Sequence, residues 1–277
     1  MATLTHLYDM ADRDALVTEQ DLARTYDGGV YDDAWVAVRE YRDVARYQSE
    51  NPDKGYTAIA NALDLPQGRV RSWTDGKTPN VVAGIETARD RGWIDVKYDD
   101  DAFLPLNALV AGIFSGGSII RTNWVPKWTL NEQGYHSYVV DALELAGVGY
   151  TTHEEADENG GPTIRPADDG AILGRVLCVL GAPIGKKSEL DDITLPWYLD
   201  GAPTDVREMF AHSYIANRGY SNPESTRVQI IEKRPQSYRE SLAALLEDVA
   251  GAPVTVGDRS VTISADAARA LGIELSN

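Results

Sequence analysis

Apolar residues recur three and four positions apart through the first hundred residues of this 277-residue chain, the spacing of one buried helix face. Helices are predicted over residues 14–24, 33–47, 57–63, 67–73 and 81–91, with no convincing strand between them. The run Tyr98-Asp99-Asp100-Asp101, followed by Pro105, reads as a linker. Beyond it the pattern changes. Residues 103–199 and 203–277 share one succession of an apolar helix, strand-like stretches and a second helix. The strand-like stretches are residues 118–130 in one half, and 226–231 with 253–263 in the other. Self-similarity over roughly 75 to 95 residues points to internal pseudo-symmetry. The expected domains are therefore 1–98, 103–199 and 203–277.

Composition narrows the class. Hydrophobic residues make up 43% and charged residues 25%, which excludes disorder along the whole length. Apolar runs such as residues 172–182 contain Gly and Arg and fall short of the ~20 residues that span a bilayer. Asp9, Asp12 and Asp14 leave no apolar signal core at the start, so a cytoplasmic chain without a membrane partner is expected. A single cysteine, Cys178, excludes an intrachain disulfide and a multi-thiolate metal site. His6, His136, His153 and His212 lack metal-ligand spacing, and no nucleophile-elbow pattern marks a Ser/His/Asp set. Glu154, Glu155, Asp157 and Glu158 read as a solvated acidic loop. No cofactor or metal is expected.

Charge changes the picture further. Forty-three acids against 26 bases give a net charge of −17, a balance that ordinarily argues against nucleic acid. Lysine occurs only seven times and arginine nineteen, and Ala, Gly and Val dominate the apolar set. This resembles proteins of salt-accumulating halophiles, of the haloarchaeal type. At 1 M salt the Debye length is only ~3 Å, so local basic patches decide binding. The plainer alternative is an acidic cytosolic enzyme. Two windows run positive: residues 54–78 at +2 and residues 218–239 at +3.

The first window contains a helix-turn-helix spacing. Such a motif needs a small residue where two helices cross, with apolar residues just before it and three, five, ten and thirteen residues after it. Ala60 is the small residue, and Ile59, Leu63, Leu65, Val70 and Trp73 fill the apolar positions. Asp64 sits where a turn Gly is common, and Thr57 is the expected N-cap. The second helix of such a motif enters the major groove with its N-terminal residues at the base edges. Gln67, Arg69, Arg71 and Ser72 are then the base-reading candidates, with Lys77 near a phosphate. A plain helical hairpin can show the same apolar spacing.

The second half carries a family resemblance. Residues 110–119, Val-Ala-Gly-Ile-Phe-Ser-Gly-Gly-Ser-Ile, resemble the motif of LAGLIDADG homing endonucleases. Residues 174–189, with a Leu-Gly-x-Pro turn and a Gly-Lys-Lys-Ser loop, are similar to that family's inter-motif segment. Leu195-Pro196-Trp197-Tyr198 follows, and residues 206–219 occupy the place of the second motif. The Gly181–Ser188 loop also mimics a phosphate-binding loop, but its glycine spacing is short and it follows a helix, so that reading is set aside.

The resemblance implies an α+β chain: an N-terminal all-α helix-turn-helix domain, then a pseudo-two-fold pair of αββαββα half-domains. In that family small residues let two motif helices pack closely, and Gly112 and Ser213 are expected to do so here. The acids that end those helices hold divalent metal, because Mg²⁺ takes hard oxygen ligands. Here the four positions are Ser115, Gly117, Ala216 and Arg218, none of them a carboxylate. The family's sheets lie over DNA, which implies contacts from Arg121, Asn123 and Lys127 on one strand face, and from Arg227 and Gln229 on another. Lys186 and Lys187 belong to the loop between the halves, and Arg218 stands in for the metal at a phosphate. For each of these the ordinary alternative is a solvated strand face or an ion pair. Trp124 and Trp128 fall on the opposite parity and are expected in the core. The function implied is a sequence-specific binder of double-stranded DNA, a transcription regulator without nuclease activity that needs no oligomer. The alternatives are an active divergent endonuclease, with Asp141, Asp205 and Glu208 as candidate acids, and a protein- or ligand-interaction module on the same scaffold.

Overall fold

The computed structural model describes residues 15–129, 137–153, 162–187, 190, 192–221 and 227–273. His6, His136, Ser188 and the acidic loop at 154–158 lie outside these residues. Val17–Ile94 form one compact unit, and residues 15–16 with 95–273 form another.

The first unit is helical: α1 (Glu19–Arg24), α2 (Ala34–Glu50), α3 (Tyr56–Leu63), α4 (Gln67–Thr74) and α5 (Asn80–Asp90). Thr18 starts α1 by accepting a hydrogen bond from the Asp21 amide, and Asp33 starts α2 through the Trp35 amide, each satisfying an otherwise orphaned donor. The predicted helix at 14–24 thus begins five residues late. Thr57 does not cap α3, which begins one residue before it with Gly55 at the cap. Ile59, Ala60 and Val70 are buried together with Val44 of α2, and Tyr47, Leu63, Leu65 and Trp73 pack around them. All six positions singled out in the sequence therefore share one core. Asp64 ends α3 with φ 53°, a left-handed conformation that Asp tolerates better than most side chains.

The second unit mixes helix and sheet. The order helix–strand–strand–helix–strand–strand–helix occurs twice. First come α6 (Phe103–Ser115), β1 (Gly117–Ile119), β2 (Pro126–Thr129), α7 (Ser137–Leu145), β3 (Tyr150–His153), β4 (Thr163–Pro166) and α8 (Gly170–Val179). Then come α9 (Thr204–Arg218), β5 (Gly219–Ser221), β6 (Val228–Ile231), α10 (Gln236–Ala250), β7 (Val254–Gly257), β8 (Ser260–Ile263) and α11 (Ala265–Ala270). Each set of four strands makes one antiparallel sheet, ordered β1-β2-β4-β3 and β5-β6-β8-β7. Pro105, expected in the linker, is a buried residue of the first turn of α6, where its missing N–H costs no helical hydrogen bond.

α6 packs along α9 and is buried through nearly its whole length. Asn107 lies fully buried between the halves; it donates to the Val206 carbonyl at 2.9 Å and accepts from the Tyr198 hydroxyl at 2.6 Å. Phe114 stacks on Tyr238, ring centroids 6.2 Å apart, and meets Phe210 edge-on. Burying one such ring contributes about 1.5–3 kcal/mol.

Three expectations are corrected here. Residues 118–130 do not make one strand. β1 and β2 form a hairpin, with Trp124 at φ 63° in the turn and the Arg175 guanidinium 4.1 Å from its ring centroid. Trp128 alone of the two is in the core. Gly112 does not serve the α6–α9 crossing either. A Cβ there would stand 2.7 Å from Nε1 of Trp128, in its own half's sheet. At Gly116, which caps α6, an added Cβ would instead meet the Asn217 side chain of α9.

Candidate nucleic-acid interface

The helical unit presents α4 by its first turn. Pro66 precedes the helix, and Gln67, Gly68 and Arg71 are exposed. Gln67 and Arg71 lie one turn apart on the same face. The Arg71 guanidinium sits 5.6 Å from the centroid of the half-exposed Tyr56 ring and 3.6 Å from the Asp75 carboxylate. Tyr56, which sequence reasoning passed over, thus orients a guanidinium of the kind that reads guanine. Lys77 is exposed beyond the helix and Ser72 is half-buried.

Arg69 behaves otherwise. It is turned back onto α2, 2.7 Å from the Glu40 carboxylate and 4.7 Å from the Tyr31 ring centroid. Tyr31 also donates to Glu40; burial, that hydrogen bond and the Glu40 charge push its phenol up to about 12. Arg69 thus holds α4 to α2 while Gln67 and Arg71 project away.

In the mixed unit the sheet register decides which side chains share a face. Lys127 pairs with Ser118 across β1–β2, opposite in sense to the buried Trp128. Trp128 pairs with Ile164 and Thr151 with Arg165, so one further step of the register sets Arg165 beside Lys127. Arg121 and Asn123 do not join them. Both lie in the hairpin turn, where Oδ1 of the Asn123 side chain accepts the Val125 amide at 3.1 Å and Arg121 lies near Gly185. The outer face of the second sheet carries Tyr220, Gln229, Thr262 and Thr255 in successive register. Arg227 is exposed one residue before β6.

The ends of α6 and α9 hold the most constrained chemistry. Ser115 is fully buried and accepts from Asn217 Nδ2 at 3.1 Å. Gly117 opens β1, and Ala216 and Arg218 occupy the last turn of α9. Lys186 is exposed, whereas Lys187 is turned inward. The Lys187 ammonium donates to the carbonyls of Ile113, Phe114 at 3.1 Å and Gly117 at 2.8 Å. The Arg234 guanidinium donates to Phe114 as well. Two cations therefore close the C-terminus of α6, where the helix dipole favours positive charge. Glu232, 1% exposed, accepts from Tyr214 at 2.6 Å and lies 3.5 Å from Arg218 and 3.3 Å from Arg234.

Burial pushes the Lys187 ammonium well below the ordinary lysine value, and the neighbouring Arg234 and Arg218 charges add to the effect; Glu232 opposes it. Arg218 is 36% exposed, and its Nε finds no hydrogen-bond partner among the described residues. Burial also pushes up the Cys178 thiol, a setting for an inert cysteine. Among the described residues no three His, Cys, Asp or Glu side chains gather where they could hold a metal ion. Asp205 lies in the first turn of α9, about 20 Å of helix from Arg218 by the α-helical rise. Sequence reasoning did not single out Glu232, Tyr214 and Asn217, and within the positive window at 218–239 both Arg234 and Arg239 are buried.

No helix among the described residues is long and apolar enough to cross a membrane. No protein-family model matches the chain, and no curated protein matches it. Among solved structures, it is similar to the crystal structure of the N-terminal LAGLIDADG domain of DUF199/WhiA. The TM-score is 0.41 at 10% sequence identity, over 67% of this chain and 90% of that one.

Proposed function

We propose that this chain is a sequence-specific double-stranded DNA-binding protein, a transcription regulator on a LAGLIDADG-like scaffold that does not cleave. The observation that carries the reading is the division of labour on α4. Arg69 is spent on Glu40, while Gln67 and Arg71 stand exposed one turn apart. Gln pairs bidentately with adenine and Arg with guanine, each pair worth about 1–3 kcal/mol of discrimination. α3 and α4 act as the helix-turn-helix, with Lys77 at a flanking phosphate. The mixed unit adds contacts from Lys127 and Arg218, and from Arg121 and Arg227 at the sheet margins.

The absence of cleavage follows from side-chain chemistry at the ends of α6 and α9. Ser115, Gly117, Ala216 and Arg218 offer no carboxylate. Lys187, Arg218 and Arg234 surround Glu232, itself engaged with Tyr214. Fixed cations at that point favour a phosphate over Mg²⁺.

The test is selection from a random-sequence duplex library with Mg²⁺ present, across a range of KCl. Enriched and uncut duplexes are the expected result. Cut duplexes overturn the nuclease-dead reading, and a library with no enrichment at any salt overturns DNA binding altogether. A second reading, in which the mixed unit binds a protein, draws on the exposed Tyr220 and Ile231 of the second sheet's outer face. Under it, replacing Arg121, Lys127 and Arg227 together by Ala leaves DNA affinity unchanged while Arg71→Ala still lowers it.

A further inference from the structure

Gly68 is the second residue of α4 and is exposed. It does not sit in the left-handed region where glycine is favoured. Beyond its chain neighbours and the nearby backbone of its own helix, a Cβ built on it meets no atom of the described residues within 4 Å. Neither turn geometry nor packing asks for glycine here, unlike Gly112 against Trp128 or Gly84 against the Tyr26 hydroxyl. Helical positions favour Ala over Gly. The residue therefore weakens the first turn of α4 with no return inside the fold.

Its neighbours show where a return can come from. Gln67 precedes it, and Arg71 lies three residues on, over the Tyr56 ring. A helix with its side chains is about 10–12 Å across, and the major groove is about 12 Å wide. The depth of seating is then set by whichever first-turn side chain faces the groove floor. Resting on the DNA-reading assignment of α3 and α4, we propose that Gly68 is a specificity-determining approach position. Its bare backbone lets the first turn of α4 sit against a base edge, so that Gln67 and Arg71 reach their bases together. A methyl group at this point lifts the helix and separates the two contacts.

Stability and affinity then move in opposite directions. The full-length Gly68→Ala and Arg71→Ala variants are compared with the wild type in thermal unfolding, and in binding to a duplex that the wild type enriches from a random-sequence library. Gly68→Ala is expected to raise the thermal midpoint and to weaken binding by about tenfold, the scale of one overpacked methyl group, while broadening base preference. Wild-type affinity in Gly68→Ala beside a loss in Arg71→Ala overturns the approach role and leaves the DNA-reading assignment standing. Unchanged binding in both variants overturns the two together. A lowered midpoint in Gly68→Ala shows that the glycine serves the fold, which also overturns the proposal.

Discussion

The C-termini of α6 and α9 hold equivalent places in the two halves, yet they are closed by different means. α6 ends in Ser115-Gly116-Gly117 and brings no charge of its own. Its last carbonyls take the Lys187 ammonium and the Arg234 guanidinium, both from later in the chain. α9 ends in Arg218 and carries its own cation, which leans on Glu232. Asn217 crosses between the ends to Ser115. The same helix-end electrostatics are thus met once by long-range partners and once locally. Only the local solution leaves a guanidinium partly open to solvent.

Glu232→Ala tests what the two ends share, because the carboxylate lies beside both Arg218 and Arg234. Removing one partner from a buried ionic cluster costs about 3–5 kcal/mol, read as a lowered urea midpoint. Lys187→Met attacks the α6 end alone. It removes the ammonium donor of the Ile113 and Gly117 carbonyls while Phe114 keeps Arg234, at an expected cost of about 2–4 kcal/mol, since each unsatisfied buried group costs about 1–3 kcal/mol. A neutral result there places the closure of α6 on Arg234.

The same lysine gives the first end a pH signature. Its folded value lies below the ordinary 10.5, so the folded chain releases this proton at lower pH than the unfolded chain does. Its contribution to stability is fully present above 10.5 and is lost as pH falls through the depressed folded value. Denaturation at a series of pH values is expected to show wild type gaining on Lys187→Met as pH rises toward 10.5. A constant difference across that range contradicts the assignment. Asn217→Ala, which cuts the link between the ends, is expected to cost about 1 kcal/mol. Arg218→Ala is the mildest for the fold, within about 1 kcal/mol, because its pair is partly solvated. Under the proposed DNA-binding reading it is expected to reduce the salt slope of binding by about one. An unchanged slope removes Arg218 from the phosphate contacts.

What could be read from the sequence follows from how far each interaction reaches. The core of α3 and α4 was legible because Ile59, Ala60, Leu63, Leu65, Val70 and Trp73 obey a spacing that local helix geometry imposes. The helix ends at Ser115 and Arg218 were legible because the resemblance fixed their order in the chain. The fate of the cations was not. Arg69 and Arg71 are two residues apart, and their difference depends on Glu40 of α2 and on Tyr31 in the loop before it. Lys187 looked like an exposed loop residue, yet its acceptors lie some seventy residues earlier. The hairpin at 117–129 was hidden because the alternation continues through its turn, where the left-handed Trp124 gives no compositional warning.

The closure of α6 also sets an order of events during synthesis. A chain leaves the ribosome from its N-terminus, so the first half emerges with the end of its central helix still open. Lys187 arrives only after the sheet of that half is complete, and Arg234 only once the second half is well advanced. The first half therefore carries one of the two cations that close α6, Lys187, within its own length, and receives the other, Arg234, only from its sister half. A gene divided between the halves separates Arg234 from its acceptor, and the two pieces must then find each other before either reaches its final form.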